Sequence, residues 1–136
     1  MKLVRELILK SEEDMLKFAK EFSENLKGNE VICLRGELGA GKTTFVKGLA
    51  KALGIKEGHQ VRSPTFTLVN EYPTERGKLI HIDLYRVRDF DYSEFIGEGI
   101  VAVEWEEKNE KCDYVIEIEY ISENKRRVKV YSSVET

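Results

Sequence analysis

Hydrophobic and polar positions change period several times along the chain, and each change marks an element. "LVRELIL" near the start alternates as a strand does. Ser11 then stands where a helix N-cap belongs. Glu12, Glu13 and Asp14 follow in the first turn, where acidic groups meet the positive end of the helix dipole. Met15, Phe18, Ala19, Phe22 and Leu26 recur at helical spacing and predict a helix that Gly28 ends. "EVICLRG" predicts a short buried strand. Phe45, Val46, Leu49, Ala50 and Leu53 outline a second helix closed by Gly54, and residues 55–62 read as an exposed loop. "TFTLVNEY" and "KLIHIDLY" predict strands, the second with Asp83 near its end. A short helix is expected around Tyr92 to Ile96, and "GIVAVEW" predicts a strand ending in Glu104. "DYVIEIEYI" and "RRVKVYSSV", either side of "SENK", predict a hairpin. Strand, loop and helix in alternation point to an α/β sheet with helices on its faces.

Composition narrows the picture. A chain of 136 residues, 41% of them hydrophobic, suits one globular domain spanning residues 1–136. Charged residues reach 35%, which fits a heat-adapted source or a heavily solvated surface. A net charge of −3 argues against a broad nucleic-acid-binding surface; Lys125, Arg126 and Arg127 form the compact basic cluster. Cys33 and Cys112 lie far apart with no CxxC spacing, and read as two small, half-buried thiols in a reducing compartment. No apolar run approaches the roughly 20 residues of a membrane span, and the N-terminus does not resemble a signal peptide. The expectation is a cytoplasmic protein.

Candidate chemistry concentrates in "RGELGAGKTTF". Gly36, Gly41, Lys42 and Thr43 fit G-x-x-x-x-G-K-[ST], with Gly39 and Ala40 inside the loop and Thr44 after it. A strand precedes this stretch and a helix starts at the lysine. Glycines let consecutive N–H groups turn toward one anion, and the helix N-terminus adds partial positive charge. Lys42 would reach the β- and γ-phosphates of a nucleoside triphosphate, and the Thr43 hydroxyl would join a Mg²⁺ shell. The loop and its context predict a P-loop NTPase-like three-layer sandwich, with a mostly parallel central sheet and a C-terminal antiparallel hairpin.

Such a loop needs a carboxylate at the end of a neighbouring strand to hold or orient the metal. Asp83 after "LIHI" and Glu104 after "IVAV" both qualify, and spacing does not choose between them. "RSPTFT" offers Ser63, Thr65 and Thr67 as a segment that senses the γ-phosphate, or equally as an ordinary turn before a strand. His59 reads as a loop residue, His81 as a packed histidine, and Trp105 as core or interface. A guanine-specific site lacks support. Leu84, Tyr85 and Arg86 follow Asp83 where Asp-x-x-Gly would stand, and "KNEKCD" does not match Asn-Lys-x-Asp. ATP is the expected nucleotide. The chain is short for a nucleoside kinase, though a small-molecule kinase and a nucleotide-gated binding module stay open as alternatives.

"GELGAGKTTF", "SPTFTLVNEY", "HIDLYR", "EFIG" and "VEW", in this order and at these intervals, resemble the TsaE (YjeE) family over nearly the whole chain. The resemblance implies a weak, partner-controlled ATPase of bacterial tRNA threonylcarbamoyladenosine synthesis, working with the TsaD–TsaB pair and reaching tRNA through that complex. It implies that Gly39 to Thr44 wrap the phosphates and that Thr43 and Glu104 ligate Mg²⁺. Asp83 would be a second ligand or a water-orienting group. Ser63 to Thr67 would form a switch facing TsaD, with Thr65 nearest the γ-phosphate, and Ser11 would lie near the adenine.

Overall fold

The computed structural model describes residues 1–61 and 68–134. Among the described residues, seven strands and two α-helices follow one another as β1 (Lys2–Leu9), α1 (Glu12–Ser23), β2 (Val31–Arg35), α2 (Lys42–Leu53), β3 (Val69–Thr74), β4 (Gly77–Asp83), β5 (Ile100–Glu104), β6 (Tyr114–Ser122) and β7 (Lys125–Ser132). A 3₁₀ turn, Ser93–Phe95, sits where a short helix is expected. All seven strands join one sheet in the order β1-β7-β6-β2-β5-β4-β3.

The sheet is mixed rather than mostly parallel. β6–β2, β2–β5 and β5–β4 are parallel, whereas β1–β7, β7–β6 and β4–β3 are antiparallel. The cause is local. Thr74 pairs with Gly77 across a tight turn, which forces β3 back along β4. The predicted hairpin forms with Ser122 opposite Lys125, and β1 adds to its outer edge.

Both α-helices share one face, so the described residues form no sandwich with helices on either side. Phe18, Phe22, Phe45 and Leu49 pack there on Ile32, Leu34, Leu79, Ala102 and Ile116. Ring centroids 5.1–6.2 Å apart link Phe18, Phe22, Phe45 and Tyr114, each such contact adding about 0.5–1.5 kcal/mol to area burial. The helices cross closely at Gly48, where an added Cβ would lie 2.8 Å from the Ala19 methyl. The opposite face, carrying Val31, Cys33, Ile80, Ile82, Val101 and Val103, is covered by irregular chain through Leu84, Tyr92 and Cys112. "VRDFDYSEFIGEG" explains that covering: aspartates, a serine and glycines break up any apolar helical stripe.

Two local expectations change. α1 stops at Ser23 rather than running to Gly28. Ser23 Oγ donates to the Lys20 carbonyl, and the Arg76 guanidinium takes the carbonyls of Ser23 and Leu26, so the end is capped by side chains before any glycine is reached. Cys33 and Cys112 are not half-buried thiols: both are buried and joined in a disulfide. Their spacing of 79 residues hides this, because only the return of chain 105–113 beneath β2 brings them together. A cross-link over that length is worth about 4.5 kcal/mol in the chain-entropy account.

Candidate nucleotide site

The glycine loop leaves β2 at Arg35 and enters α2 at Lys42. Gly41 precedes the helix at φ 116°, where an L side chain is strained, and an added Cβ would also lie 3.2 Å from Met15 Cε. The Ala40 N–H donates to Glu37 O at 3.0 Å, and the Phe45 N–H opens the helical ladder onto Gly41 O at 2.9 Å. Arg126, from the basic cluster, donates through Nε to Ala40 O at 2.8 Å and braces the loop from the hairpin. Its neighbour Arg127 is turned away, paired with Glu119 and Glu6.

Lys42 is folded back onto this loop. Its ammonium donates to the Gly36 carbonyl and lies 3.4 Å from Glu37 O, with Nζ 3.7 Å from the centre of the Trp105 ring. Burial pushes its pKa down, while the carboxylates of Glu104 and Asp83 act against that shift. Thr43 and Thr44 follow, half-buried in the first turn of α2.

Strand register brings the two candidate carboxylates together. Asp83 and Glu104 are Cα partners across β4–β5. Asp83 Oδ1 accepts the Tyr85 N–H at 2.8 Å, and burial, with Glu104 adding to it, raises the Asp83 pKa despite that bond. Glu104 is 4% exposed, with Oε2 2.5 Å from Nε2 of the fully buried His81. His81 is packed, as expected; its bond to Glu104 was not foreseen. The signal in the sequence was its position two residues before Asp83, on the same face of one strand.

Trp105, expected as core or interface, also stands against the lysine of the loop. Among the described residues it is the non-glycine with positive φ, 69°, a conformation that costs roughly 1–2 kcal/mol. Its backbone N–H donates to Leu34 O at 3.3 Å, its ring packs 4.9 Å from Tyr85, and Arg88 lies 5.6 Å from the ring centre. Arg35 secures the chain just beyond, holding the carbonyls of Glu106 and Lys108 and the Asn109 side chain.

Ser11 caps α1, accepting the Asp14 N–H at 3.0 Å, and Asp14 in turn accepts from the Lys10 N–H. β1 pairs Leu9 with Arg126, which places this cap next to the residue that braces the loop. His59 is exposed, as expected. Ser63, Thr65 and Thr67 lie outside the described residues. Among the described residues no three His, Cys, Asp or Glu side chains converge on a metal cage. Two carboxylates and a hydroxyl are instead the hard oxygen donors suited to Mg²⁺ that draws its other ligands from phosphate and water. No helix among the described residues is long and apolar enough to cross a membrane.

A buried parallel strand that runs into a glycine loop and opens a helix beside paired acidic strand ends defines a nucleotide-binding protein of the P-loop type. The chain belongs to the TsaE family: the family model described as "Threonylcarbamoyl adenosine biosynthesis protein TsaE" matches residues 9–129. It is 70% identical over 131 residues to a tRNA threonylcarbamoyladenosine biosynthesis protein TsaE of Aquifex aeolicus, covering 96% of this chain and 98% of that one. A protein of the same name from Nostoc sp. is 44% identical over 112 residues, covering 75% and 68%. Bacillus subtilis YdiB superposes with a TM-score of 0.82 at 30% identity, over 98% of this chain and 89% of that one. The family is one of tRNA threonylcarbamoyladenosine biosynthesis.

Proposed function

We propose that this chain, as one domain over residues 1–136, is the ATP-binding and hydrolysing subunit that supports turnover of a TsaD–TsaB complex in the cytoplasm. tRNA would be reached through that complex. The observation that carries the reading is the pairing of Asp83 with Glu104 at adjacent strand ends, with Lys42 of the glycine loop in the field of both. A cation for phosphate and two acids for a metal or a water stand within electrostatic reach of one another.

The backbone of Gly36, Gly39, Ala40, Gly41 and Thr44 cradles the phosphates in this reading, and Lys42 turns from Gly36 O to the β- and γ-phosphates. Thr43 and Glu104 would hold Mg²⁺, which supplies charge neutralisation on the phosphate oxygens. Asp83 ligates alongside them or orients the attacking water. Thr65 would be the residue nearest the γ-phosphate, and Ser11 would set the adenine end through the first turn of α1. ATP hydrolysis and co-purification with TsaD and TsaB, each with and without nucleotide, test the reading. Weak hydrolysis alone that changes on adding the pair is expected; no association under any nucleotide condition overturns it.

A further inference from the structure

Each carboxylate of the site has one oxygen tied down, by different means. Asp83 is held by the backbone N–H of Tyr85, which any residue at position 85 except proline would supply. Glu104 is held by a side chain, the imidazole of His81, at 2.5 Å.

The register explains how that side chain reaches. Asp83 lies opposite Glu104, and His81 lies opposite Ala102, so imidazole and carboxylate meet on a diagonal of one sheet face. Ala102 is fully buried, and its methyl leaves the imidazole room to lean across. A larger residue there would occupy the space the ring uses.

The protonation pattern also follows from contacts. Nδ1 of His81 is buried and finds no hydrogen-bond partner among the described residues. A proton on Nδ1 would be a buried N–H without an acceptor, so the proton belongs on Nε2, where Glu104 Oε2 receives it. A residue present for packing alone would be replaced to advantage by leucine, because a buried polar group that does no work is a cost.

We propose that His81 is a positioning residue that fixes the carboxylate of Glu104 for Mg²⁺ by donating from Nε2. The inference rests on the nucleotide-site reading above. His81 touches neither nucleotide nor metal; it narrows the orientations open to the group that does.

The test compares His81→Leu with His81→Gln, whose terminal amide N–H falls near the Nε2 position. The readout is equilibrium binding of a fluorescent, non-hydrolysable ATP analogue, titrated with Mg²⁺ and repeated in excess chelator. For His81→Leu, the Mg²⁺ midpoint should rise about tenfold or more, with chelator affinity unchanged, and His81→Gln should stay within about threefold of the parent chain. A leucine variant that keeps the parent midpoint overturns the proposal, as does a glutamine variant no better than leucine. The parent chain gives a second measurement that needs no variant to fold. Its ¹⁵N imidazole spectrum should place the His81 proton on Nε2, and a proton on Nδ1 alone overturns the proposal. A parent chain that binds the analogue without any Mg²⁺ dependence overturns the nucleotide-site reading, and this inference with it.

Discussion

The two sides of the site are built on opposite principles. The proposed phosphate cradle is a contiguous run, residues 36–44, whose work would fall mostly to backbone N–H groups and one lysine. The facing wall is assembled from Asp83, Glu104, His81 and Trp105, brought together by strand register and by one bent residue after β5. A contiguous backbone device tolerates little change in spacing, because inserting or deleting one residue re-aims every N–H. A wall of side chains on separate strands depends on pairing, and its members are supported one at a time: Asp83 by Tyr85, Glu104 by His81, Trp105 by Leu34. Damage to the cradle should therefore remove binding, while damage to the wall should leave binding and change how it depends on metal and pH.

The largest expected effect tests the cradle. Lys42→Ala removes the cation that the proposed function turns from Gly36 O to the phosphates. It should weaken equilibrium ATP binding about hundredfold, or about 3 kcal/mol, as the loss of charge-assisted hydrogen bonds implies. Titration calorimetry at fixed Mg²⁺ measures it. A change below about threefold would mean that the ammonium stays on Gly36 O and Trp105 when nucleotide binds, and that the backbone alone does the cradle's work.

A smaller, two-sided effect separates the wall from the cradle. Asp83→Asn should shift the Mg²⁺ midpoint of ATP binding by about tenfold while leaving metal-free affinity near the parent value. It should also alter stability in the opposite sense. Burial raises the Asp83 pKa above its usual 3.8, so the folded state binds this proton more tightly than the unfolded chain. That contribution is complete below the usual value and is lost as pH rises through the raised one. The nucleotide-free variant should accordingly melt higher than the parent chain at neutral pH, with the gain vanishing in acid. Thermal melts from acid to neutral pH would show it, and equal pH slopes in the two chains would mean that burial does not raise the Asp83 pKa.

Legibility in the sequence followed the same division. The strand, glycine loop and helix start behind the proposed cradle were readable, since glycine spacing, the lysine and the strand before it lie in one line. Both acids of the wall were also visible as strand ends, but their register was not, because parallel partners 21 positions apart leave no mark in either strand's pattern. His81 looked like core because it is core; what it bonds depends on Ala102 standing opposite. The disulfide was hidden in the same way, with Cys33 and Cys112 brought together by a return of chain rather than by spacing. The helices were sound in type, while the end of α1 was set by Arg76, a residue far along the chain.

Ser11 gives the smallest effect and the finest distinction, because it belongs to neither side by direct contact. Its hydroxyl oxygen accepts the Asp14 N–H, and Met15, in the turn it starts, lies under Gly41. If the residue acts by holding that turn in place, Ser11→Ala should cost about 1 kcal/mol of stability, the usual loss of an N-cap. ATP affinity should then fall by less than about threefold, since 1.4 kcal/mol is needed for a factor of ten and only part of the cap loss reaches the loop. Denaturant melts and ATP titration on the same preparation measure both quantities. A loss of affinity larger than the loss of stability would place the hydroxyl on the nucleotide itself, and would extend the cradle beyond its contiguous run to the start of α1.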